Sequence, residues 1–186
     1  MESALEARSL PVQYVVLGLL LEESRHGYEL RKELEIRLGA LWRIASSQLY
    51  SVLHRLEDRG WVSVREQSEG SRPSRKVNTA TGEGAVAFET WVSAPVAHLR
   101  DVRVEFLAKA YFLRRRSGDA LHRLLEAQIE VLEELETGLT RQERLESDDA
   151  AFGAMLVSFR RMQMRSTIEW LRGQAASAAR TEDDTA

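Results

Sequence analysis

The sequence predicts a mainly α-helical protein with a short β-hairpin, and three observations carry that prediction. Apolar residues recur at helical spacing, most clearly as Leu49, Val52, Leu53 and Leu56. Strand-prone residues follow at Trp61, Val62, Ser63 and Val64, then a loop rich in Gly, Ser and Pro, then Arg75 to Ala80 as a returning strand. From Asp101 onward turn residues thin out, and Leu121, Leu125, Gln128, Leu132, Leu135 and Leu139 alternate by four and three residues. Helices that end in a reading helix and a hairpin make a winged helix-turn-helix, and the later seam has the period of helices that pair. Residues 1–95 are therefore assigned to a winged helix-turn-helix domain, 96–175 to a C-terminal helical dimerisation domain and 176–186 to a disordered tail.

Composition narrows the class. With 186 residues, 44% of them hydrophobic, the chain can bury a proper core. It has no cysteine, which excludes disulfides, thiolate metal sites and cysteine nucleophiles. The run VVLGLLL at 15–21 is too short to cross a bilayer and is preceded by Glu2 and Glu6, so a cytoplasmic protein without membrane association is expected. A net charge of −3 argues against indiscriminate nucleic-acid binding, which needs many phosphates neutralised. The stretch from Arg43 to Lys76 nonetheless holds seven cations against four acids. A local basic element is thus set in an acidic chain.

Taken in order, the first helix is expected to begin near Ser9 or Pro11, after a frayed start, and to bury Val12, Val15, Val16, Leu19 and Leu20. The second starts after His26-Gly27, has Tyr28, Leu30, Leu34 and Leu38 at its apolar positions and stops at Gly39. Trp42 and Ile44 in the short connection are expected to fill the space before helix three. In that helix Ser46 or Ser47 is the N-cap and Gly60 the stop, where a left-handed residue costs least. Beyond the hairpin, Thr81 can cap a helix through Trp91 and Val92 that Pro95 interrupts. A helix carrying Val102, Phe106, Leu107, Ala110 and Leu113 ends in Arg114-Arg115-Arg116. The leucine seam follows, and a last helix from Asp148 to Arg172 carries Phe152, Met155, Leu156, Phe159 and Met162.

Candidate functional residues lie on the faces these elements leave open. On the third helix Ser47, Gln48, Tyr50, Ser51 and His54 sit off the apolar stripe. Gln48 has the amide for a bidentate adenine contact, and the Ser51 hydroxyl suits a base or a phosphate. Tyr50 either joins that reading face or covers the helix edge and gives its hydroxyl to phosphate. Arg72, Arg75 and Lys76 at the hairpin tip have no acid between them, as a loop lying against phosphates requires. His26-Gly27-Tyr28 is either a helix start whose amides and Tyr28 hydroxyl touch phosphate or a capping and packing feature. The partner these residues predict is double-stranded DNA.

For dimerisation the candidates are Leu121, Leu125, Gln128, Leu132 and Leu135, with Gln128 as a register-setting polar position, and Phe152, Leu156 and Phe159 on the last helix. Spacing alone leaves open whether the seam packs within or between subunits. Trp91, Phe106 and Tyr111 flank the junction between the halves and are either a wall of an effector pocket or plain core. His26, His54, His98 and His122 lack metal-ligand spacing, and no phosphate loop or nucleophile motif is present. Neither metal, cofactor nor enzymatic activity is expected.

LGLL at 17–20, HGYEL at 26–30, SSQLYSVLHRLEDRGWV at 46–62 and SRPSRK at 71–76 stand in the order and spacing of a known family. Over its first 90 residues the chain resembles the PadR family of bacterial transcriptional regulators. Its C-terminal half resembles the longer helical region of PadR subfamily 1. Asn78 and Ala80 stand where the family usually carries a tyrosine followed by a leucine, which implies a second wing strand that is shorter or differently packed. The resemblance implies a homodimeric repressor whose two winged domains contact successive major grooves of a roughly palindromic operator, with a small-molecule inducer relieving binding. The residues alone also fit a second reading, a winged helix that binds protein rather than DNA through the same face.

Overall fold

A computed structural model describes residues 2–41, 43–67, 75–142 and 150–183, with side chains described for 11–41, 43–67, 76–139 and 151–179. The chain divides into two compact units, residues 1–92 and 93–186.

The first unit runs α1 (Glu2–Glu22), β1 (Arg25–His26), α2 (Gly27–Leu38), α3 (Ser46–Asp58), β2 (Val62–Gln67), β3 (Arg75–Ala80) and α4 (Gly82–Ser93). Its core gathers Val15, Val16, Leu17 and Leu19 from α1, Leu30 and Leu34 from α2, and Leu49, Val52 and Leu56 from α3. Burying a leucine contributes about 1.5–3 kcal/mol, so these positions fix which face of α3 remains outside.

Several details differ from the sequence expectation. α1 begins at Glu2 and holds Pro11 inside it. The apolar period starts only at Val12, so it could not report the earlier turns, which good helix formers supply. The N-cap of α3 is Ala45, in extended conformation, and Ser46 is the first helical residue. The stop is as expected: Gly60 has φ of 71°. The Gly60 amide donates to the Glu57 carbonyl and the Trp61 amide to Leu56, which satisfies the last turn and starts β2. Ile44 is half-buried, and Trp42 lies outside the described residues.

The sheet is three-stranded, with order β1-β3-β2 and both pairs antiparallel. β3 keeps its full six residues, from Arg75 opposite Gln67 to Ala80 opposite Val62. Asn78, at the position where the resemblance led us to expect a change, is buried and donates its side-chain amide to the Arg25 carbonyl at 3.0 Å. The strand is therefore not shorter. Its polar side chain is absorbed by β1, which two residues were too few to announce. At the base of the wing Tyr14 stacks on Trp91 at 5.1 Å and lies 5.9 Å from Trp61, joining α1, α4 and the start of β2. Thr81 caps α4, accepting from the Gly84 amide at 3.1 Å and donating to the Gly60 carbonyl at 2.7 Å.

The second unit contains α5 (Leu99–Asp101), a π-helical turn at Val102–Phe106, α6 (Leu107–Arg114), α7 (Gly118–Gln142) and α8 (Ala150–Asp183). α7 and α8 are antiparallel, with Arg165 paired to Glu136 and Arg172 to Glu133. Leu125, Gln128 and Leu132 are buried within this single chain, and Leu121 and Leu135 are half-buried. The seam thus packs inside its own subunit, where α6 and α8 cover it. Gln128 is not a register-setting residue facing a second copy, because both ends of its amide are bonded to Val96 of the same chain. α8 continues to Asp183, through residues expected to form a disordered tail. Ala175, Ala176, Ala178 and Ala179 favour helix, and Ala175 is buried.

Candidate nucleic-acid interface

With Leu49, Val52, Leu53 and Leu56 buried, α3 presents Ser47, Gln48, Tyr50, Ser51 and His54 outward, all exposed. The first turns of this face are polar and uncharged, and the acids Glu57 and Asp58 come only at its C-terminal end. That polarity suits a helix whose N-terminal residues approach bases and phosphates. The Ser51 hydroxyl donates to the Ser47 carbonyl at 2.9 Å, so it remains available chiefly as an acceptor. His54 Nδ1 lies 3.1 Å from the Asp58 carboxylate. Hydrogen bonding to the backbone, and then the charge of Asp58, hold the His54 pKa above its ordinary value.

A second cluster adjoins this face. His26, Gly27, Tyr28, Tyr50, His54 and Lys76 line one open cleft of about 810 Å³ in the first unit. Tyr28 and Tyr50 are 66% and 56% exposed, so both rings reach solvent beside the start of α2. The cleft exists because β1 ties α2 to the wing. His26 Nδ1 lies 3.0 Å from the Lys76 carbonyl, and the His26 amide donates to the Glu29 carboxylate at 3.0 Å. An alanine Cβ at position 27 would stand 2.7 Å from the Tyr50 ring.

Of the wing cations, Lys76 is exposed on β3 and Arg75 opens that strand, while Arg72 lies outside the described residues. His26 caps the start of α2, one of the two readings of His26-Gly27-Tyr28, and its tie to a carbonyl 50 residues away is what sequence spacing does not report.

The remaining candidates separate. In the first unit Trp91 is buried against Tyr14 and Phe88. In the second Phe106 is fully buried, and Tyr111 is half-buried, edge-on to Phe112 and under Arg115. Of the last-helix candidates, Phe152 and Phe159 are 55% and 51% exposed and Leu156 is half-buried.

Residues 16–90 match the transcriptional regulator PadR-like family. The match covers 75 of the 186 residues, most of the first unit. It is 25% identical over 169 residues to the negative transcriptional regulator PadR of Bacillus subtilis, covering 86% of this chain and 93% of that protein. A probable transcriptional regulator of Mycobacterium tuberculosis is 26% identical over 94 residues, half of each chain. Among solved structures, Bacillus subtilis PadR in complex with operator DNA is 25% identical, with a TM-score of 0.46, covering 90% of this chain and 98% of that one. Both the matched family and the relative matched over most of the chain are described as transcriptional regulators, which favours DNA over protein as what the winged domain reads.

Proposed function

We infer that this PadR-like regulator is a homodimeric, cytoplasmic repressor that binds a roughly palindromic operator and is released by a small-molecule effector. The observation that carries the reading is the exposed polar face of α3 beside Tyr28, Tyr50 and Lys76, held outward by a fully buried opposite face. Gln48 and Ser51 are assigned to base edges, and Ser47, Tyr28, Tyr50, His54, Arg72, Arg75 and Lys76 to phosphate or groove walls. The relative that this chain matches over most of its length is named a negative regulator, which supports repression.

The dimeric part of the reading rests on α8. Phe152, Met155, Phe159 and Met162 recur at helical spacing and are each at least half exposed. A contiguous apolar stripe of this kind is the mark of an association surface, and a second copy would cover it. The effector part rests on a groove of about 930 Å³ in the second unit, with Leu99, Val102 and Leu135 among its apolar residues and Arg100, Arg103 and Arg160 also lining it. It suits a ligand with an apolar body and an anionic end.

A salt-titrated gel shift against DNA upstream of the protein's own gene tests the whole. Saturable, competitor-resistant binding at two protomers per site is expected. No binding at low salt would overturn it.

A further inference from the structure

Ser47, Ser51, His54 and Asp58 follow one another at intervals of four, three and four residues, so they run along the line of α3 that lies opposite its buried residues. His54 and Asp58 end that line as a pair. Asp58 Oδ2 lies 3.1 Å from His54 Nδ1, and the two side chains are 75% and 63% exposed. Asp58 is also the last residue of the helix.

Stability does not account for an acid at this position. A carboxylate in the last turn opposes the helix dipole, and an ion pair this exposed contributes little. On a face offered to phosphates it also repels what that face must approach. What the carboxylate does at 3.1 Å is select a ring nitrogen. Were Nδ1 of the neutral ring bare, its lone pair would face those of Asp58, so the proton stays on Nδ1 and Nε2 is left as an acceptor. When the ring takes a second proton, Nε2 becomes a donor. Backbone hydrogen bonding, then the charges of Asp58 and Glu57, favour that second proton. The other titratable groups lining the cleft beside the ring are Tyr50 on α3, His26 on β1, Tyr28 and Glu29 on α2, and Lys76 on β3. His26 and Glu29 are already bonded to the Lys76 carbonyl and the His26 amide, and the Lys76 ammonium acts against a second cation.

We propose that Asp58 is a positioning residue that makes His54 a base reader with two states: the neutral ring accepts through Nε2 from the amino group of cytosine or adenine, and the protonated ring donates through Nε2 to N7 or O6 of guanine. The inference rests on the DNA reading above, and within it places His54 in the groove at a base edge rather than on a phosphate. Base choice, and not affinity alone, then follows pH.

The test uses the full chain and operator duplexes in which each base pair is inverted in turn. The position read by His54 is the one at which His54→Ala abolishes discrimination between G·C and C·G. Affinities for that pair of duplexes are compared well below and well above the pH at which NMR shows the His54 ring titrating. The two duplexes carry equal charge, so their ratio cancels any general attraction of a cation to DNA. Wild type should favour guanine at the acid end and cytosine at the alkaline end, each by about threefold to tenfold, the scale of one hydrogen bond. Asp58→Asn changes an exposed residue and should stay folded by circular dichroism. Its amide can face either form of Nδ1, which frees Nε2 to carry the proton of the neutral ring, so this variant should favour guanine at both ends. A wild-type ratio that ignores pH at every position, or an Asp58→Asn variant that reverses as wild type does, overturns the inference and leaves the operator reading intact. Absence of saturable operator binding by wild type overturns both.

Discussion

Gly27 and Tyr50 are in contact across the turn of the helix-turn-helix: a Cβ on the first residue of α2 would lie 2.7 Å from the Cε1 atom of a ring on α3. The glycine therefore decides where the exposed Tyr50 ring rests. Gly27→Ala should push the ring from the cleft and weaken operator binding by roughly tenfold, the scale of one lost contact. Thermal stability should change little, because the ring is largely in solvent and alanine favours helix by about 0.5–1 kcal/mol. Gel shift and a melting curve on the same variant check both halves. Unchanged affinity would remove Tyr50 from the interface.

Reading and anchoring residues should separate by their signatures. Arg72→Ala, Arg75→Ala and Lys76→Ala are expected to weaken binding to every sequence and to lower the salt slope by about one each. Gln48→Ala should instead relax preference at one base pair, at a cost of about 1–3 kcal/mol on the preferred base. Binding measured at several salt concentrations, on operator and on single-base variants, tells the two apart.

Operator affinity should also depend on pH through His54. Backbone hydrogen bonding and the neighbouring Asp58 raise its pKa, so it gains a proton at higher pH than a free histidine does. A cation appears on the reading face as pH falls, and affinity should rise as pH falls through the raised value. The same shift favours the folded state on the acid side, and that contribution fades as pH rises through the raised value. Titrating wild type against His54→Gln is decisive: the variant should lose the pH slope.

Dimerisation and folding should come apart between α7 and α8. Phe159→Glu with Met155→Glu alters exposed positions and is expected to give folded monomers by sedimentation. Leu132→Asp places a charge at a fully buried position and should cost several kcal/mol, unfolding the second unit. Stable dimers from the α8 double variant would place the interface elsewhere.

The polar face of α3 was legible because helical periodicity is local: Leu49, Val52, Leu53 and Leu56 name their own face, and Gly60 names its end. The hairpin was legible for the same reason, from strand-prone residues on either side of a turn-rich loop. Periodicity could not report what depends on distant partners. β1 is two residues long and exists only because Asn78 and Val77 lie beside it. A seam spaced by four and three looks the same whether its cover comes from another subunit or, as here, from α6 and α8 of its own chain. Gln128 shows the difference most plainly: the sequence by itself determined that a polar residue interrupts an apolar stripe, while tertiary packing decided that Val96, 32 residues earlier, would satisfy it. Side-chain order along one helix is set by neighbours three and four residues away, but the partner of a buried amide is set by whichever backbone the folded chain brings to it.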